Sequence, residues 1–226
     1  MESMFEVTDI PYRNGTSRLV LQTGAVLDDV LTHPMCPVFL HSVIYGKVTW
    51  QKRSEFSIDH ILAAPGLAPQ FVGALLAWGT GCILDDGGEQ PLEAVLAEPG
   101  CHNRIRTLVL PLDIPGRVWA EARTGSTPTD FPIVWTMAVV DLKEGVVQQA
   151  RIALSGVWAQ SVTLAKSAGV LVSHPLNEAN IHQTANAVME ETAPREDHRG
   201  SAEYRKSMAG VMTRRALQAC LEGAAA

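Results

Sequence analysis

Residues 197–217 read Asp-His-Arg-Gly-Ser-Ala-Glu-Tyr-Arg-Lys-Ser-Met-Ala-Gly-Val-Met-Thr-Arg-Arg-Ala-Leu, and they decide how the rest of the chain is interpreted. Asp197 and Ser201 are residue types whose side-chain oxygens accept hydrogen bonds from the free backbone amides at a helix N-terminus. Glu203 places negative charge in the first turn, at the positive end of the helix dipole. Apolar side chains then recur at helical spacing, namely Tyr204, Met208, Val211 and Met212. The stretch therefore predicts a C-terminal helix.

The order of these residues is more specific than their spacing. The pattern D-x-R-G-S-A-E-Y-R-x-x-x-A-x-V-x-x-R-R-A-L, beginning at Asp197, resembles the end of the flavin subunit of molybdenum hydroxylases. This is the carbon monoxide dehydrogenase and xanthine dehydrogenase family. In that family the helix packs the C-terminal domain and performs no chemistry. The resemblance therefore indicates ancestry, and the rest of the chain must indicate function.

The composition limits the classes of protein to which the chain can belong. The chain has 226 residues, of which 46% are apolar and 19% charged, as in ordinary globular proteins. A formal charge of −6 without a run of basic residues argues against a nucleic-acid or anionic-membrane surface. The first residues do not have the pattern of a secretory signal, and no apolar run approaches the roughly 20 residues of a membrane span. We expect a cytoplasmic protein.

Residue types that carry chemistry are scattered. The four cysteines show no C-x-x-C spacing, which leaves zinc and iron–sulfur sites without support; they are Cys36, Cys82, Cys101 and Cys220. The seven histidines form no ligand motif, and no G-x-S-x-G, Walker or G-x-G-x-x-G motif occurs. We therefore predict no catalytic residues and no metal on this chain, and an unrelated self-contained enzyme has no support.

The N-terminal part predicts a hairpin and then a helix. Asn14-Gly15 is a hairpin turn signal, a strand follows over Ser17–Thr23, and a helix begins near Leu27. By resemblance, Gly24-Ala25 corresponds to a step within the second flavin-binding subdomain of the family. The resemblance thus implies that the first subdomain, with its glycine-rich loop for the FAD pyrophosphate, precedes the part present here.

The second half of the flavin cradle is expected at residues 53–65. The family has an arginine and then a stretch close to T-I-G-G-N-L-A, whose glycines let backbone amides approach phosphates. This chain has Arg53 and then Ser57-Ile58-Asp59-His60-Ile61-Leu62-Ala63, so only Ser57 and Ile58 keep the motif. Asp59 would repel a pyrophosphate. Asp59 and His60 would point to opposite faces of a strand, so we favour a polar surface turn over a new acid/base pair.

Pro111, Pro115 and Gly116 mark a domain boundary. Beyond it we predict strands at Ile133–Leu142 and Val146–Ser155 and helices at Val162–Leu171 and Glu178–Glu191. The resemblance implies that Arg123 and Asp130 come near the flavin ring. A surface arginine and an aspartate that starts a strand remain equally compatible with the residues.

The predicted fold is α+β. It consists of an incomplete α/β FAD-binding subdomain of the PCMH type, residues 1–113, and a C-terminal domain, residues 117–224, with a small antiparallel sheet packed on three helices. Leu217 and Leu221 oppose the Tyr204 stripe, and Trp135 lies on a strand that is apolar on both faces. We therefore expect a hetero-oligomeric surface on the C-terminal domain.

Two functions remain open. A working flavoprotein subunit would bind FAD, at residues that include Ser57, Ile58, Arg123 and Asp130, and take part in electron transfer. Its partners would be a molybdenum-cofactor large subunit and an iron–sulfur small subunit. A non-catalytic relative would keep the partner surfaces and act as a structural or assembly subunit. The Asp59-His60 replacement favours weak or lost FAD binding.

Overall fold

The computed structural model describes residues 5–6, 17–125 and 131–225. The chain divides into two compact units, Met1–Ile114 and Pro115–Ala226. Each unit contains an antiparallel sheet with helices, which confirms the predicted α+β class. The predicted turn at Asn14-Gly15 and the predicted site residue Asp130 lie outside the described residues. No described helix is long and apolar enough to cross a membrane.

The first unit has a five-stranded sheet in the order β1-β2-β5-β3-β4. Strands β1 to β5 are Phe5–Glu6, Arg18–Gln22, Gly81–Leu84, Glu89–Pro91 and Ile105–Pro111. Helices α1 to α6 are Leu27–Thr32, Val38–Lys47, Trp50–Glu55, Ile58–Ala63, Pro69–Trp78 and Leu92–Ala97. Two short 3₁₀ helices cover Pro65–Leu67 and Cys101–Arg104.

Helix α5 forms the centre of the first unit, since all ten of its residues are buried. Proline at its first position suits a helix start, and Gly79 ends it in the left-handed conformation with φ of 78°. The ring of Trp78 stacks on the ring of Phe39 in α2, with 3.9 Å between the ring centroids. Its indole N–H donates to the carbonyl of Pro111 at 2.7 Å.

The second unit has a four-stranded sheet in the order β6-β7-β8-β9. These strands are Arg117–Thr124, Val134–Lys143, Val146–Ser155 and Val162–Leu164. A 3₁₀ helix at Lys166–Leu171 is followed by α7 at Glu178–Glu191 and α8 at Ala202–Ala225. The side chain of Asn177 accepts from the amide of Asn180 and caps α7, whose bounds agree with the predicted helix.

The helix predicted at 162–171 is wrong in its first part. Val162 pairs with Ser155, so Val162–Leu164 is an edge strand of the sheet. β-branched side chains favour this extended conformation, and pairing with β8 satisfies backbone groups that would otherwise lie unpaired. Only Lys166–Leu171 is helical, where the Glu191 carboxylate accepts from the amides of Lys166 and Ser167 at 2.9 and 2.8 Å.

Helix α8 packs on the sheet through a face that includes Met212 of the apolar stripe but not Tyr204. Tyr204 is 39% exposed, whereas Leu217 is fully buried. The packed face consists of Arg205, Ala209, Met212, Thr213, Ala216, Leu217 and Cys220. Small residues on this face allow the helix to approach the sheet closely. The periodicity of apolar residues alone does not show this advantage.

Arg205 connects the start of α8 to the sheet through hydrogen bonds. Its guanidinium donates to the carbonyls of Ile133 and Gly156, both at 2.9 Å, and to the Asp197 carboxylate at 2.6 Å. Gly156 has φ of +82°, and a Cβ there would lie 2.1 Å from the Ile133 carbonyl oxygen. The N-cap of α8 is Ser201, whose hydroxyl accepts from the amide of Tyr204 at 3.1 Å. Asp197 instead holds Arg205, so its predicted role as a cap is corrected.

We expect Arg205→Met to destabilise the protein by about 2–4 kcal/mol, because two buried carbonyls lose a charged donor. The free energy of unfolding, measured by urea denaturation followed by circular dichroism, tests this. Arg214→Met is the matched control, since Arg214 lies exposed on the same helix and should cost less than about 0.5 kcal/mol. Equal stabilities for the two variants would contradict the role given to Arg205.

The Asp197 carboxylate should make stability depend on acid pH. Hydrogen bonds from the Arg199 amide and the Arg205 guanidinium lower the pKa of Asp197 from 3.8 to about 2. A pKa lower in the folded state means that this stabilisation is present above the unfolded pKa and is lost as pH falls from about 4 to about 2.

Asp197→Asn should therefore be less stable than the unmodified chain at neutral pH, and the difference should shrink between pH 4 and pH 2. Urea midpoints across this range measure it. Glu196→Gln, at the exposed position next to Asp197, serves as the control and should keep the pH profile of the unmodified chain. A constant difference at all pH values would show that Asp197 contributes no charge-dependent stabilisation.

Candidate functional site

Ser57 and Ile58, the predicted cradle residues, lie at the start of α4. Ser57 forms an isolated antiparallel bridge with Val26. The amide of Ile58 donates to the carbonyl of Ala25, and the amide of Asp59 donates to the carbonyl of Thr23, both at 2.9 Å. The segment after β2 therefore uses the first two amides of α4.

The third amide of α4 is also engaged. The His60 amide donates to the Asp59 carboxylate at 2.8 Å, and the same carboxylate accepts from the Ser57 hydroxyl. The helix dipole and free amides make a helix N-terminus favourable for an anion. In this chain the Asp59 side chain supplies that anion from within the helix.

The expected separation of Asp59 and His60 is wrong. They belong to a helix start and not to a strand, so both side chains reach the Ser57 hydroxyl, which lies 2.7 Å from Nδ1 of His60. Asp59 does not orient the imidazole, since its nearest carboxylate oxygen lies 3.8 Å from Nδ1. The two side chains are 55% and 68% exposed. Water therefore surrounds the group, and its geometry caps the helix without activating a nucleophile.

Arg53, the arginine that precedes the motif, lies in α3. Its Nε is 3.2 Å from the carboxylate of Asp28, and its guanidinium lies over the ring of Tyr45 at 5.6 Å. Only 13% of the side chain is exposed. Both contacts lie within the first unit, so they fix the arginine against α1 and α2.

Arg123, the third predicted site residue, lies on β6 directly opposite Trp135 of β7. The alternation of these strands puts Arg123 and Trp135 on the face opposite the helical core of the second unit. Neighbouring strand positions of the same face are Trp119, Glu121, Met137, Val139, Arg151, Ala153 and Ser155. Because Asp130 is not described, the structure does not test its predicted proximity to Arg123.

This face combines apolar area with an internal polar contact. Trp135 is fully buried, and its indole N–H donates to the Glu121 carboxylate at 2.7 Å. The pair was not predicted from the sequence, although the alternation Trp119-x-Glu121-x-Arg123 could have placed the carboxylate beside an aromatic side chain.

Among the four thiols, Cys82 and Cys220 are buried and Cys36 is half-buried. Burial raises the pKa of Cys36 and of Cys82 to about 11, and that of Cys220 to about 12. Thiols of this kind are poor nucleophiles and poor metal ligands at neutral pH. No group of three or more potential ligand residues is placed to hold a metal among the residues that the structure describes.

Residues 126–220 match the family of the CO dehydrogenase flavoprotein C-terminal domain. The matched residues lie within the second unit. The match confirms the resemblance that the 197–217 pattern predicted, and the Arg205 contacts show what that pattern does structurally. No curated protein is similar enough to the chain to count as a match.

Solved structures confirm the fold over nearly the whole chain. A carbon monoxide dehydrogenase from Hydrogenophaga pseudoflava, which lacks the Mo-pyranopterin moiety, has a TM-score of 0.77 and 21% identity over 91% of this chain and 75% of its own. Reconstituted CO dehydrogenase from Oligotropha carboxidovorans has a TM-score of 0.73 and 20% identity, over 90% of this chain and 75% of its own. Quinoline 2-oxidoreductase from Pseudomonas putida 86 has a TM-score of 0.75 and 19% identity, over 98% of this chain and 79% of its own.

Proposed function

We propose that the chain takes the place of the flavoprotein subunit in a molybdenum hydroxylase-type oxidoreductase complex, and that its FAD binding is weak or lost. The observation that carries the first part is the C-terminal domain, in which the family pattern forms the Arg205 contacts. The observation that carries the second part is the start of α4, where the Asp59 carboxylate lies at the helix N-terminus.

The donors at α4 do not suit a pyrophosphate. A phosphate cradle needs free amides, and the amides of Ile58, Asp59 and His60 already donate within the chain. A carboxylate about 4 Å from a phosphate charge also costs between roughly 1 kcal/mol in water and roughly 4 kcal/mol at an effective dielectric near 20. This corresponds to a loss of about fivefold to a thousandfold in affinity.

The alternative roles differ in what they require of the cofactor. If FAD is retained, we propose that Ser57, Ile58, Arg123 and Asp130 contact it and that the chain transfers electrons between its partners and an acceptor. If FAD is lost, the chain acts as a structural or assembly subunit. Under both roles we propose a molybdenum-cofactor large subunit and an iron–sulfur small subunit as partners, in the cytoplasm.

The isolated chain should bind FAD weakly or not at all, because α4 offers no free amide and places a carboxylate in the way. The visible absorption spectrum of the purified chain and a titration with FAD measure this directly. The variant Asp59→Gly with His60→Gly removes the carboxylate and both added Cβ atoms, and it should bind FAD more tightly if these positions close the site. Stoichiometric yellow protein from the unmodified chain would overturn the proposed loss.

The tagged chain, purified from its native host, should bring with it subunits that contain molybdenum and iron–sulfur clusters. Mass spectrometry identifies the subunits, and metal analysis gives the molybdenum and iron content per copy of the chain. The Arg205→Met variant, which weakens the C-terminal domain, should recover less of the complex. A chain that runs as a monomer and recovers neither metal would contradict the proposed component role.

A further inference from the structure

We draw no further inference here: the strongest candidate, the groove of about 130 Å³ between α7 and α8, has polar lining side chains that are all exposed, namely His182, Asn186, Ser207 and Arg214, and nothing in the structure shows what would bind there.

Discussion

The buried guanidinium of Arg205 is the interaction on which the second unit depends. It joins three parts of the chain that are distant in sequence, the start of β7, the turn after β8 and the segment before α8. A buried arginine is costly to desolvate unless each donor finds an acceptor, and here two carbonyls and a carboxylate provide acceptors. Gly156 belongs to the same constraint, since a Cβ there would lie 2.1 Å from the Ile133 carbonyl oxygen and 3.2 Å from Nη1 of Arg205.

This constraint explains why the C-terminal pattern is informative about family and uninformative about chemistry. The pattern contains Asp197, Gly200, Ser201 and Arg205, and each of them makes a structural contact at the start of α8. The residues fix how a helix meets a sheet. A chain can therefore keep the pattern, and the fold that goes with it, while the cofactor site in the other unit changes.

The start of α4 is the segment where we propose such a change. The segment keeps Ser57 and Ile58, but it begins a helix, and the Asp59 carboxylate accepts from the His60 amide at the N-terminus of that helix. The same side chain satisfies the His60 amide that a phosphate would otherwise approach. The backbone amides at the start of α4 can donate either within the chain or to a bound anion. In this chain the Asp59 carboxylate accepts from the His60 amide.

Much of the fold could be predicted from local sequence signals. The bounds of β8 and α7, the Asn177 cap and the Gly79 stop follow from alternation, periodicity and capping chemistry. The packed face of α8 could not be predicted, because two apolar stripes compete and the choice depends on the shape of the sheet. The strand at 162–164 and the contact of Trp135 with Glu121 likewise depend on partners far away in sequence.

Candidate site residues were harder to interpret for a related reason. Adjacent residues such as Asp59 and His60 face apart in a strand and can converge at a helix start, so their joint role depends on a backbone conformation that the motif does not specify. The periodicity of apolar residues also does not show which of them are exposed to solvent. The apolar residues of α2 predict a helix but do not tell which of them remain uncovered.

The Asp59 carboxylate closes the N-terminus of α4, to which it belongs. Nuclear magnetic resonance of ¹⁵N-labelled protein measures this at single amides, with pyrophosphate added in steps. We expect the amide signals of Ile58, Asp59 and His60 to remain unchanged, and the His60 amide to shift when Asp59 is replaced by asparagine. Saturable shifts of these three amides in the unmodified chain would show an open phosphate site and contradict the account.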